Sequence, residues 1–211
     1  MGWMDSLNAA AAPRNDLGDE EREKIARDLV RLSSFGAAVV TLAPVPLSDF
    51  FLVTPVQASM VMSVGRVYGR KVDLTEGREI LLELAAVCGV GLVAQKGFAT
   101  LSKILLPGLG GILAGPYAFA VTHGLGIVAI RYFASGGAPR EILKSVFDEA
   151  VKEGKRIFSR EELEEFRKKQ GQAVTDFAQQ QSQPQPKKAA KRPAAKRRPA
   201  AGKKKKPAPR R

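Results

Sequence analysis

The sequence predicts an all-α fold: hydrophobic, Gly/Ala-rich helical hairpins forming one bundle-like body, followed by a disordered basic C-terminal tail. Three observations carry this expectation. Apolar residues in the charged segments recur at helical spacing, two long stretches rich in Gly and Ala carry almost no charge, and cations crowd the C-terminus where periodicity stops. Of the chain's 34 Lys/Arg, 13 lie between Lys187 and Arg211 with no acid among them, which leaves 21 to balance all 21 Asp/Glu. The net charge of +13 therefore describes a tail and not a basic fold.

Residues 1–15 read as a flexible leader. The helical body is expected over 16–178, starting near Asp16 or Asp19, where acids face the positive end of the helix dipole. Ile25, Leu29 and Leu32 fall on one face of that first helix, and the other face is charged. Charge then disappears: between Arg31 and Arg66 the only ionisable residue is Asp49, and Pro44-Val45-Pro46 must break the segment into two helices. A polar connector (65–79) leads to a segment, 80–95, that is apolar apart from Glu83 and Gln95.

The longest uncharged run, residues 104–130, is 27 residues. A straight helix of that length reaches about 40 Å, against roughly 30 Å of bilayer hydrocarbon. Pro107, Gly108, Gly110, Gly111 and Pro116 argue against one straight helix there. Beyond it, Pro139 suits a first helical turn. Ile142, Leu143, Val146, Phe147, Ala150 and Val151 form an apolar stripe, and Gly154 is placed to cap its end. Ser159-Arg160-Glu161-Glu162 has the form of a capping box and opens a charged helix bearing Leu163 and Phe166. After about residue 178 the composition cannot bury enough apolar surface to offset ordering entropy, so 179–211 is expected to be disordered.

Several chemistries find no support. A single cysteine, Cys88, excludes an intramolecular disulfide or Cys-rich zinc site, and its apolar setting points to packing. One histidine, His123, cannot build a His-based metal site alone. There is no P-loop, G-x-S-x-G, H-E-x-x-H or cysteine pair. We expect no catalytic, cofactor or metal site. The first residues lack a basic n-region and an apolar h-region, and Gly2 is not followed by the Ser or Thr that myristoylation needs, so a cytoplasmic-side protein is expected. Asp49, Gln57, Glu83 and His123 stand out as polar residues within apolar segments. The plain reading has Asp49 capping the helix after Pro46 and Glu83 facing a headgroup or another helix.

Residues 89–100 (GVGLVAQKGFAT) align without a gap onto 124–135 (GLGIVAIRYFAS), 35 residues on, with six of twelve positions identical. Chance similarity in Gly/Ala-rich sequence competes with two equivalent, co-directional helices. The shared G-x-G-x-x-A lacks the preceding strand and the following acid of a dinucleotide fingerprint. Small-residue pairs such as Ala85/Gly89, Gly111/Gly115 and Ala120/Gly124 fit close helix approach better.

The order PVPLSD (44–49), Gln57, Met60, Tyr68-Gly69, PGLGG (107–111) and GPYAFAVTHGLGIVAIRYF (115–133) resembles the YcjF-like domains, a bacterial family of unknown function, over roughly residues 20–155. The resemblance implies an inner-membrane or membrane-associated protein. Since relatives are often appended to small GTPase domains that this chain lacks, it also implies an adaptor or regulator of a GTPase acting in trans. No catalytic residue is carried over. The expected localisation is the bacterial cytoplasmic membrane with both termini cytoplasmic, since Lys/Arg clusters stay on that face. The tail cations Lys187, Lys188, Lys191, Arg192, Lys196, Arg197, Arg198, Lys203, Lys204, Lys205, Lys206, Arg210 and Arg211 are the candidate polyanion-binding residues, for anionic lipid or nucleic acid. The second reading is a soluble helical bundle that binds nucleic acid nonspecifically through this tail.

Overall fold

The computed structural model describes residues 3–11, 18–42, 49–90 and 110–182. They form helices α1 (Trp3–Ala10), α2 (Asp19–Val40), α3 (Asp49–Val67), α4 (Leu74–Val87), α5 (Gly110–Ser135), α6 (Arg140–Ile157) and α7 (Arg160–Ser182). No strand occurs among the described residues, and the fold is all-α. The basic tail expected to be disordered, and the first copy of the internal echo beyond Val90, lie outside the described residues.

Local chemistry sets the helix ends. At the start of α2 the Gly18 amide donates to the Glu21 carboxylate (3.3 Å), and Asp19, Glu20 and Glu21 occupy its first turn. Asp73 caps α4 by accepting the Glu76 amide at 2.8 Å. At α7 only half of the expected capping box forms. The Ser159 hydroxyl accepts the Glu162 amide (3.3 Å) and donates to the Glu161 carboxylate (2.9 Å). The Glu162 carboxylate pairs instead with Arg31 of α2.

The chain also departs from its sequence reading in the leader, at Pro116 and at Gly154. Within the leader expected to be flexible, Trp3–Ala10 is a helix whose Trp3 and Leu7 are fully buried. The Trp3 indole N–H donates to Ser59 Oγ at 3.3 Å, and its ring meets Phe166 edge-on at 6.2 Å. Pro116 does not break the uncharged run: Gly110, Gly111 and Pro116 all lie inside α5. An interior proline costs about 3 kcal/mol through its lost hydrogen bond and ring clash, so the packing of α5 must outweigh it. Gly154 does not cap α6, which runs on to Ile157; it lies against α5.

α5 is the central helix. It packs on α2, α3 and α6, and α3 bridges it to α4 and α1, while α7 lies over α2 and α3. Phe119, Leu125, Val128 and Ala129 of α5 join Val30, Phe35 and Val40 of α2 and Val56, Met60 and Val61 of α3 in one buried cluster. The amphipathic α6 closes it with Leu143, Phe147 and Ala150, whereas Ile142, expected on the same stripe, is exposed. The helix break expected at Pro44-Val45-Pro46 falls between α2 and α3; the turn itself lies outside the described residues.

Candidate functional site

Glycine lets the core helices approach. A Cβ on Gly124 would stand 2.6 Å from Val151 Cγ2 and 3.0 Å from the Phe147 ring of α6. On Gly154 it would meet Ala120 Cα at 2.9 Å, so the same α5–α6 seam is closed from both sides. Gly126 faces Val30 of α2 (2.5 Å) and Met60 Sδ of α3 (3.0 Å), and Gly77 of α4 faces the Ala58 carbonyl (2.8 Å). No side chain fits at these places without moving a neighbour.

Two of the other expected glycines behave differently. Gly89 has nothing within 4 Å of its missing Cβ and adopts φ +76°, ending α4 after Cys88 instead of packing a helix. Gly115 has ordinary van der Waals room, with Ala38 O and Leu42 both at 3.8 Å.

The structure separates the four polar residues singled out in the sequence. Gln57 reaches across to α5 but meets Thr122 and not His123: its Nε2 donates to Thr122 Oγ1 at 2.9 Å. Glu83 is exposed on α4, and Asp49 is the first residue of α3. His123 is 5% exposed and stacks parallel to Phe119 at 6.3 Å. Neither ring nitrogen has a hydrogen-bond partner, and the nearest acid atom is Glu153 Oε2 of α6, 3.7 Å from Nε2. Burial pushes the imidazole pKa below 6.5; Glu153 opposes this, and Arg27 and Arg31 add to it. At neutral pH the pair is therefore a neutral ring beside a half-exposed carboxylate and not an ion pair.

Thr122, Glu153 and Gly154 were not anticipated as partners. The spacing Ala150-x-x-x-Gly154 on α6, like Ala120-x-x-x-Gly124 on α5, was the available signal. Cys88 is buried with Sγ 4.0 Å from the Leu143 carbonyl; burial first, and then Asp148, push its pKa up to about 11. Among the described residues no three His, Cys, Asp or Glu side chains converge as a metal site would need.

Charge is distributed unevenly along the three central helices. α2 has its last charge at Arg31, α3 has none between Asp49 and Arg66, and α5 has none before Arg131. Gly126 lies against Val30, and Gly115 against Ala38 and Leu42, so α5 runs antiparallel to α2. Gln57–Thr122, Met60–Gly126 and Gly65–Phe133 make α3 run with α5. The C-terminus of α2 and the N-termini of α3 and α5 therefore share one end, at which Asp49 is the one charge these three helices carry. At the opposite end burial, and then Glu23 and Asp19 of α2, raise the Tyr68 pKa, with Arg27 and Arg22 opposing them. α5 is long and apolar enough to cross a membrane, yet the candidate stretch Ala114–Ser135 is 72% buried inside the protein.

These features define a helical bundle with a glycine-closed apolar centre, charged on its flanks and poor in charge at one end of its central helices. The chain belongs to the family described as Domain of unknown function (DUF697), which matches residues 11–156, and this membership is the YcjF-like resemblance read from the sequence. It is similar to Magnetosome membrane protein 22 of Magnetospirillum gryphiswaldense (strain DSM 6361 / JCM 21280 / NBRC 15271 / MSR-1): the two are 24% identical over 182 residues, covering 82% of this chain and 89% of that protein. No solved structure matches.

Proposed function

We propose that this chain is a non-enzymatic, membrane-associated helical protein of the bacterial cytoplasmic membrane, with both termini on the cytoplasmic side. It acts as an adaptor or regulator of a GTPase in trans, and its polycationic tail contacts anionic surfaces. The observation that carries the membrane reading is the likeness to a protein named for a membrane across 82% of this chain. The long stretches of α2, α3 and α5 without charge support it, as does the cation excess confined to 187–211. Because α5 is mostly covered by α2, α3 and α6, the reading has the body seated on the membrane and not threaded through it. The GTPase role rests on the YcjF-like resemblance alone.

Fractionation tests the membrane reading. The full chain and a form ending at Ser182 are expected in the membrane pellet after a high-salt wash; recovery of both as monodisperse soluble protein without detergent would overturn it. Pull-downs with a GTP analogue and with GDP test the GTPase role, and repeated failure to enrich a GTPase would remove it.

The burial of α5 within a body with charged flanks favours the second reading, a soluble bundle whose tail binds nucleic acid. If six to eight tail charges engage duplex DNA, the log–log salt slope is about −5 to −7. No aromatic residue lies among 183–211, so base stacking would contribute nothing. Salt-dependent DNA binding that is lost on deleting 187–211, with no vesicle binding by either form, would support this second reading.

A further inference from the structure

We infer that α6 is an acid-released flap: protonation of His123 opens the α5–α6 seam locally, while the α2–α3 contact stays closed. The inference stands apart from the membrane and GTPase readings, since it rests on how one buried ring is packed.

Attachment supplies the first argument. α6 packs on α5 and, near Leu143, on α4, whereas α2 faces it across a groove lined by Arg27, Ile127, Glu149 and Glu153. Gly136 and Gly137, at φ 68° and 118° with nothing within 4 Å of a missing Cβ, join it to α5. At its other end Phe158 leaves the helix in an extended conformation. A helix held by one main seam between two non-helical joints can open without unpacking α2 from α3.

The seam supplies the second. Gly124 and Gly154 bring α5 and α6 so close that a Cβ on Gly154 would also stand 3.2 Å from His123 Cβ. The imidazole is therefore held between Phe119 of its own helix and α6, buried and without a hydrogen-bond partner at either nitrogen. A proton added in place puts a charge and a second N–H into this seam. Nε2 has Glu153 Oε2 at 3.7 Å to turn to, but Nδ1 has no acceptor. Arg27 and Arg31 of α2 oppose the new charge, although Glu23 and Glu162 of α7 pair with them. Neither α3 between Asp49 and Arg66 nor α5 before Arg131 offers an acid.

Burial outweighs Glu153, so these groups together favour the neutral ring. The sign follows. With the closed form holding its proton more weakly than an open ring at 6.5, acid favours the open form. The gain is at most about tenfold per pH unit below 6.5. What opens is apolar: Phe147 and Val151 leave Gly124, and Leu143 leaves Cys88.

Cys88 reports the opening, because its buried thiol lies 4.0 Å from the Leu143 carbonyl and its charged neighbours, Asp148 and Lys144, are both on α6. The full chain is reacted with dithiodipyridine between pH 7 and 5, in whichever medium keeps it monodisperse. Each rate is divided by that of the urea-unfolded chain at the same pH, which removes the intrinsic pH dependence of the thiol. The ratio is expected to rise several-fold toward pH 5 in wild type and to stay flat in His123→Phe. It is expected to rise further in Glu153→Gln, which withdraws the group that offsets burial. A Val56→Cys thiol in a Cys88→Ala background, buried on α3 against Gly36 of α2, is expected to show no rise. An equal rise at both thiols would make the event global unfolding and overturn the flap. A flat wild-type ratio, or a rise that persists in His123→Phe, would overturn the role of His123. Should His123→Phe not fold, Glu153→Gln decides: a rise no larger than that of wild type overturns the assignment.

Discussion

Cys88-Gly89 and His123-Gly124 stand 35 residues apart, each a buried titratable side chain followed by a glycine, and the glycines open the two halves of the internal echo. The structure uses the pairs in opposite ways. Gly124 sits in the middle of α5 with no room for a side chain, and the α5–α6 contact forms because a Cβ is missing. Gly89 has open space around it and a left-handed backbone, and α4 stops because that conformation is available. The same residue type solves a steric problem in one place and a torsional one in the other. Neighbouring residues in the chain do not reveal which problem a glycine is solving.

Enlarging Gly124 gives the largest expected effect. Gly124→Leu drives a branched side chain into Val151 and Phe147, with Ala120–Gly154 one turn away unable to relax. Overpacking costs about 1–3 kcal/mol for added methylenes, and a whole isobutyl group should reach or exceed the top of that range. Denaturant unfolding of wild type and variant checks this; equal midpoints would show that the α5–α6 seam is not tight.

The residue before it gives a smaller, pH-dependent effect. His123 has its pKa lowered by burial, so it must enter the folded state neutral. A depressed folded pKa means that its contribution to stability is present above about 6.5, the unfolded value, and is lost as pH falls toward the folded pKa. One such group removes at most about 1.4 kcal/mol per pH unit in that window, and Glu153 at 3.7 Å moderates it. His123→Phe, which keeps the stack on Phe119, is expected to flatten this part of the profile between pH 7 and 5. An unchanged slope would show that another group titrates there.

Gly89→Ala comes next. The new Cβ meets nothing within 4 Å, so the cost is purely that of a left-handed backbone for an L-residue, about 1–2 kcal/mol. If instead Gly89→Ala proved as damaging as Gly124→Ala, the echo would hold a packing role at both copies, and the difference drawn between them would fail.

The fold class was legible because period, caps and breakers agree over long segments: Ile25, Leu29 and Leu32 in α2, Pro44 and Pro46 between α2 and α3, Ser159 before α7. α1 was not. A helix of 8 residues gives Trp3 and Leu7 no repeated pattern to stand out from, and its order comes from Gly36, Ser59 and Phe166 far away in sequence. Pro116 was misleading for a related reason, since a local breaker rule weighs the lost hydrogen bond but not the packing of α2, α3 and α6 around the helix. Gln57 and His123 stand out in the sequence as polar residues in apolar segments, yet Thr122 and Glu153, which meet them, look ordinary there. Partnership is a property of helix direction, and no local pattern encodes that.

The smallest effect concerns Cys88. Burial raises its pKa to about 11, so the thiol stays protonated through the physiological range. With the folded value above the ordinary 9.0, its contribution to stability is fully present below pH 9 and is lost as pH rises through 11. Cys88 therefore leaves stability unchanged near neutrality, and its signature is kinetic. At pH 8 a group with pKa about 11 holds about a hundredfold less thiolate than one at 9, and thiolate is the reactive form. Reaction with a disulfide reagent is expected to be slowed by at least that factor relative to the unfolded chain, and further by the cover that Leu143 and the rest of the core provide. Adding denaturant below the unfolding midpoint should restore the rate in proportion to the opened population. Native labelling at pH 8 as fast as in the unfolded chain would mean that the α4 terminus is open. It would also mean that the left-handed turn at Gly89 does not hold Cys88 against α6.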